Sequence, residues 1–129
     1  MPLYRCAIRE GLSTEAQRAQ IAKDVVRVHC GVTGAPAIFV HAFFSERAPS
    51  ELPEGHAAYV FGTIRWGRTD EQKAQIRSDL RTSVATALGC SEDEVGVTTV
   101  DIPSKWNMEG GEIMPEPGEE AAWLEKHQA

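Results

Sequence analysis

The feature that most constrains this chain is that it repeats itself. Tyr4, Thr14, Gln17, Ala19, Gln20, Ile21, Asp24 and Gly34 recur as Tyr59, Thr69, Gln72, Ala74, Gln75, Ile76, Asp79 and Gly89, every match displaced by 55 residues. Repetition of this kind means that one supersecondary unit is used twice, so any fold must satisfy both copies. In the first copy, Leu3 to Ile8 is apolar and extended in character, and Gly11, Leu12 and Ser13 supply a turn. Ile21, Val25, Val28 and Val32 then recur at the helical period. Gly34 and Pro36 end that helix, and Ile38 to Phe44, rich in β-branched and aromatic residues, reads as a strand. In the second copy, Ala57 to Ile64 reads as a strand, Thr69 to Leu88 as a helix closing at Gly89, and Val95 to Ile102 as a strand.

Two βαβ units most simply share one four-stranded mixed sheet, related by a pseudo-twofold axis, with both helices on one face. The expected class is therefore α/β (α+β). A four-stranded sandwich of another topology, such as a ferredoxin-like fold, is the alternative. At 129 residues the expectation is a single domain. It divides into a first unit over 1–46, a connector over 47–56 carrying Pro49 and Pro53, a second unit over 57–102, and a tail over 103–129. Gly110, Gly111, Pro115, Pro117 and Gly118 predict a loop in the tail, with a short turn or helix around Ala121 to Lys126.

Composition narrows the partners. A net charge of −6 argues against a nucleic-acid backbone, which needs a concentrated basic face. With 25% charged and 42% apolar residues the chain suits a folded soluble protein. No signal-like segment opens it and no stretch approaches the roughly 20 apolar residues of a membrane span, so no membrane association and a cytoplasmic location are expected. Cys6, Cys30 and Cys90 are odd in number and far apart, which fits reduced thiols packed as small hydrophobes.

The chemistry is narrowed by elimination. His29, His41, His56 and His127 show no HExxH spacing, the cysteines form no CxxC pair, and GxGxxG, GxxxxGK[ST] and GxSxG are all missing. Neither a metal nor a cofactor is implied. An acid/base or electrostatic site remains, and three features converge on one. A helix of about 20 residues rises roughly 30 Å, which returns the chain to the level where the first strand begins and brings His29 toward Pro2. If the first and third strands are the central antiparallel pair, Arg65 and Arg68 also lie beside that start. An α-amine, with a reference pKa of about 7.7 to 8.0, is pushed toward its neutral, basic form by burial and nearby cations. Two guanidiniums can hold a small carboxylate and stabilise an enolate next to it. Proton transfer α to a carbonyl follows, once Met1 is removed and Pro2 becomes the terminal amine. The plainer alternatives are that Arg65 and Arg68 pair with Asp70 or Glu71, and that His29 is a packed helix residue.

With Pro2, the VHCGVTG segment around His29, the IRWGR segment and the tail read as WNMEGGEIMPEPG, the chain resembles the tautomerase superfamily, specifically its cis-3-chloroacrylic acid dehalogenase branch. The resemblance covers nearly the whole chain. It implies that His29, Arg65 and Arg68 bind the substrate carboxylate, that Glu109 with Pro2 manages water and proton delivery, that no cofactor takes part, and that the protein is a homotrimer. The substrate-binding position held by the family tyrosine on the last strand of the second unit falls here on Thr98, a shorter hydroxyl without phenolic acidity. This disfavours dehalogenation of a haloacrylate and leaves keto-enol tautomerisation of a small 2-oxo acid. Hydration or hydrolytic dehalogenation of a 3-carbon unsaturated acid is the alternative, and a non-catalytic member of the fold is the second.

Overall fold

The computed structural model describes residues 2–116 and 118–127. Met1 and Pro117, on which expectations were placed, lie outside the described residues, as do 128 and 129.

Both helices form because both copies carry the same end signals. Helix α1 (Glu15–Thr33) is capped by Thr14, whose hydroxyl accepts from the Gln17 N–H at 3.2 Å while the Gln17 side chain accepts from the Thr14 N–H at 2.8 Å. Helix α2 (Asp70–Leu88) repeats this reciprocal cap with Thr69 and Gln72. Such a box satisfies N–H groups that a helix start otherwise leaves unpaired. Each helix stops at a left-handed glycine, Gly34 at φ 75° and Gly89 at φ 71°, a backbone state that favours glycine.

Strands β1 (Leu3–Arg9), β2 (His41–Arg47), β3 (Ala58–Arg65) and β4 (Val95–Ile102) form one mixed sheet in the order β2-β1-β3-β4. Within each unit the two strands are parallel neighbours, and β1 and β3 meet antiparallel at the centre. This is the duplicated layout, distinct from the ferredoxin-like alternative. Tyr4, Cys6 and Ile8 of β1 and Ala58, Val60 and Ile64 of β3 are buried with Ile21, Val25 and Val28 of α1 and Ile76, Leu80 and Val84 of α2. That single cluster lies between the sheet and its helices. The other face of the sheet exposes Leu3 and Phe43, and the Arg5 guanidinium lies 4.8 Å from the centre of the Phe61 ring there.

The structure corrects the sequence reading in four places. The second strand begins at His41 instead of Ile38, because Ala37–Phe39 wind into a single 3₁₀ turn that drops Phe39 into the interior. The same strand runs on through Arg47, paired with Arg9, one residue into the expected connector. Cys6 is fully buried, whereas Cys30 and Cys90 sit half-buried at the margin of the core; all three are free thiols. The tail adds a two-stranded hairpin, β5 (Met108–Glu109) and β6 (Glu112–Ile113), before helix α3 (Glu120–His127). Trp123 of α3 packs edge-on against Phe39, ring centres 5.6 Å apart, and its indole N–H donates to the Ile113 carbonyl at 2.9 Å.

The repeat is also out of phase in its strands. Residues 10–13 link β1 to the cap at Thr14, whereas only 66–68 link β3 to the cap at Thr69. Because successive strand side chains point to opposite faces, a one-residue offset reverses the face. Tyr4 therefore lies buried under the helices, while Tyr59 lies on the open face and bonds Thr98. The two tyrosines matched in sequence are not equivalent in space.

Candidate active site

Antiparallel pairing sets the location. Leu3 opposes Thr63, which brings Pro2 to the level where β3 ends in Ile64 and Arg65. The Pro2 side chain is fully buried, and its carbonyl accepts from the His41 N–H at 2.9 Å. Tyr4, two residues along β1, shares the face of Pro2 at about 7 Å along the strand.

His29, 2% exposed near the end of α1, receives the Tyr4 hydroxyl at Nδ1, 2.7 Å away. Burial, with the Arg68 and Arg65 charges adding to it, lowers the His29 pKa to about 3. Burial also raises the Tyr4 phenol above its ordinary value. The neutral imidazole and the protonated phenol share one hydrogen bond at Nδ1: Tyr4 donates when the His29 hydrogen is on Nε2 and accepts when it is on Nδ1. His29 thus brings no positive charge to the site.

Arg65 and Arg68 do pair with a carboxylate, but with neither Asp70 nor Glu71. Glu120, the first residue of α3, places Oε1 in hydrogen-bond contact with Arg65 Nη2 and 3.6 Å from Arg68 Nη2. Asp70 is exposed and faces Lys73 at 3.5 Å. The Pro115 carbonyl accepts from Arg65 Nη1 at 2.6 Å, and the Gly118 N–H donates to Glu120 Oε2 at 2.7 Å. Burial alone would raise the Glu120 carboxyl; hydrogen bonds from the Glu120 and Gly118 backbone and from Arg65 outweigh it and hold the group below its ordinary value. The Arg68 side chain is 8% exposed. Among the described residues, Arg68 Nε and Asn107 Nδ2 are buried side-chain donors without a hydrogen-bond partner, and Arg68 Nη2 has the Glu120 carboxylate at 3.6 Å.

Glu109 reaches this end of the sheet through His41, with Oε1 3.2 Å from the His41 Nε2. It also borders a cavity of about 490 Å³ whose walls include Ile38, Phe39, Glu112, Trp123 and His127. Phe39 lies between the cavity and Arg65, its ring centre 6.0 Å from the Arg65 guanidinium carbon. Thr98 is elsewhere. It opposes Phe61 on the open face of the sheet, and its hydroxyl is engaged by Tyr59.

The chain therefore gathers Pro2, His29, Arg65 and Arg68 at one end of the sheet, joins Glu109 through His41, and leaves Thr98 on the far face. Sequence reasoning did not single out Tyr4, His41 or Glu120. Tyr4 carried a usable signal, since a residue two positions from Pro2 on a strand must share its face. Among the described residues no group of His, Cys, Asp and Glu is arranged to hold a metal ion, and no helix is long and apolar enough to cross a membrane.

No protein-family model matches the chain, and no curated protein matches it in sequence. Solved structures do. N1, a member of the cis-3-chloroacrylic acid dehalogenase family, is 29% identical with a TM-score of 0.89, the match covering 98% of this chain and 92% of that one. Native Ps01740 is 33% identical over 83% of this chain and 99% of that one, with a TM-score of 0.75. The wild-type symmetric trimer of Q0 fused 4-OT is 26% identical over 87% of this chain and 94% of its own, with a TM-score of 0.77. The four-stranded mixed sheet built from two βαβ units is the fold of these tautomerase-superfamily structures. The chain belongs to the tautomerase superfamily and is similar to its cis-3-chloroacrylic acid dehalogenase branch.

Proposed function

We propose that the protein is a cofactor-independent keto-enol tautomerase acting on a small 2-oxo acid or its enol, with the Pro2 amine as the base. The observation that carries this reading is the placement of buried Pro2 at the end of β3, level with two guanidiniums and a neutral His29. Burial and nearby cations disfavour the charged form of an amine, so the Pro2 nitrogen, freed by removal of Met1, is poised as a neutral base near pH 7. It takes the enol O–H proton as the enolate forms, and the resulting ammonium returns a proton to the carbon α to the carbonyl. A guanidinium, joined by His29 when its hydrogen is on Nε2, stabilises the oxyanion in between. Atoms and charge balance, and no redox partner is needed.

A second reading uses water. Hydration or hydrolytic dehalogenation of a 3-carbon unsaturated acid is favoured by the similarity to a cis-3-chloroacrylic acid dehalogenase family member and by the Glu109–His41 pair at the cavity wall. Ketonisation of phenylenolpyruvate, followed by ultraviolet absorbance, and chloride release from cis-3-chloroacrylate separate the two. Ketonisation without chloride release is expected. Chloride release as the faster reaction overturns the tautomerase assignment, and absence of both activities favours a non-catalytic member of the fold.

A homotrimer is proposed for the assembled protein. Support comes from the trimeric neighbour and from the open sheet face, where Leu3 and Phe43 are exposed. Closed cyclic association covers such faces economically. A sedimentation mass of one chain contradicts it.

A further inference from the structure

Helix α3 is fastened to the sheet by a charge. Among its described residues Glu120 alone is buried, whereas Trp123 and Leu124 are half-buried and Ala121 and Ala122 are exposed. A surface helix ordinarily holds its place by burying an apolar stripe. Here the buried group is a carboxylate that faces two cations: Oε1 hydrogen-bonds Arg65 Nη2 and stands 3.6 Å from Arg68 Nη2. The rest of the hold is slight. Trp123 meets Phe39 edge-on, its indole N–H donates to the Ile113 carbonyl, and His127 lies 3.4 Å from the largely exposed Glu112 carboxylate. Segments with few buried apolar contacts open locally at low cost. A free helix of eight residues is also well short of the roughly 12 to 15 needed to persist in water.

The same carboxylate closes the arginines to other anions. Both guanidiniums are buried, and their other hydrogen bonds go to backbone, Arg65 Nη1 to the Pro115 carbonyl and Arg68 Nη1 to the Thr33 carbonyl at 3.4 Å. An incoming acid has to take the place of Glu120 to reach them. Once it does, α3 loses its one buried anchor.

We propose that α3 is a strap latched by Glu120, whose carboxylate fills the place of a substrate carboxylate, so that binding of a small acid is coupled to release of residues 118–127. This rests on the tautomerase reading, in which the arginines serve the substrate, and adds an internal competitor to it. Glu120 contacts no reacting atom and acts on the site only by filling it. The apparent affinity for an acid is then reduced by the fraction of molecules in the open form.

The test uses the full chain and 3-phenylpropionate, an acid that lacks a 2-oxo group and cannot be ketonised. In the wild type, hydrogen–deuterium exchange over residues 118–127 is expected to speed up about tenfold on addition of the acid, while α1 and α2 keep their rates. Exchange over that stretch left unchanged or slowed overturns the proposal, and no variant has to fold for this result. Calorimetry on Glu120→Gln, which removes the charge and keeps the shape, is expected to show binding of the acid at least about tenfold tighter than in the wild type. The sign decides between roles: a group that merely builds the site loses affinity when altered, whereas a competitor gives affinity back. Equal or weaker binding in folded Glu120→Gln overturns the proposal. Ketonisation of phenylenolpyruvate is read separately, since its absence removes the tautomerase assignment while the coupling of acid to α3 is still decided by exchange.

Discussion

The Tyr4 hydroxyl and His29 Nδ1 stand 2.7 Å apart in the interior, one from the central strand and one from the helix that covers it. The contact links β1, the strand that follows Pro2, to His29, the only buried histidine among the described residues. Tyr4→Phe keeps the ring and removes the donor, leaving Nδ1 buried without a partner. That costs about 1 to 3 kcal/mol of stability. It also removes the contact that holds the imidazole in place, so kcat/KM is expected to fall about tenfold, equivalent to roughly 1.4 kcal/mol. Steady-state kinetics on the folded variant check this, and an unchanged kcat/KM contradicts a role for the Tyr4–His29 bond in catalysis.

Gly62 opposes Tyr4 across the β1–β3 pair, and a Cβ placed there meets the Tyr4 ring at 2.5 and 2.7 Å. The ring is fully buried, so it has nowhere to yield without moving its hydroxyl off His29. Gly62→Ala is expected to lower stability by about 1 to 3 kcal/mol and to reduce activity in parallel with Tyr4→Phe. Chemical denaturation measures the first effect and steady-state kinetics the second.

The depressed pKa of His29 makes stability depend on pH. In the unfolded chain the histidine titrates near 6.5, and in the folded protein near 3. Below 6.5 the unfolded state therefore binds the extra proton, and stability falls as pH drops from about 6.5 toward about 3. Near pH 5 the loss is on the order of 2 kcal/mol. His41, also depressed by partial burial, acts with the same sign. The Glu120 contribution, a lowered carboxyl, is present above its unfolded value and is lost only at lower pH. Urea unfolding of the wild type and His29→Gln between pH 7.5 and 5 isolates the His29 contribution: the wild type is expected to lose stability more steeply, and parallel curves contradict a buried neutral His29.

The arginines are expected to differ from lysines even with charge retained, because only a guanidinium presents two parallel donors to a carboxylate. Arg68→Lys is expected to lower kcat/KM by an amount equivalent to about 1 to 3 kcal/mol. Arg65→Lys breaks the contacts to Pro115 and Glu120, so its expected signature includes a lower midpoint of unfolding as well as reduced turnover. Kinetics and thermal unfolding on both variants distinguish the two patterns.

Much of this arrangement was written in local chemistry. Thr14 with Gln17 and Thr69 with Gln72 start the helices, Gly34 and Gly89 end them, and alternating apolar residues lay down the strands. Arg65 and Arg68 could be placed near Pro2 because one antiparallel pairing decides it. What the sequence concealed was non-local. The Ala37–Phe39 turn is rich in the same residue types as the strand it precedes, so composition extended β2 backward. The β5–β6 hairpin has two residues per strand, too few for any alternation to register. Glu120 is one of 19 acidic residues, and nothing in its neighbourhood distinguishes it from Glu119; only the return of the tail across the sheet end brings it to Arg65. Thr98 was aligned by resemblance, and strand alternation put it on the face away from Pro2.

The most direct measurement is kcat/KM for ketonisation of phenylenolpyruvate in Pro2→Ala against the wild type, on protein whose intact mass confirms loss of Met1. General acid–base catalysis contributes roughly 10²- to 10⁴-fold, so the variant is expected to lose at least about a hundredfold while its fold, read by circular dichroism, persists. Wild-type turnover in folded Pro2→Ala contradicts the amine as the base.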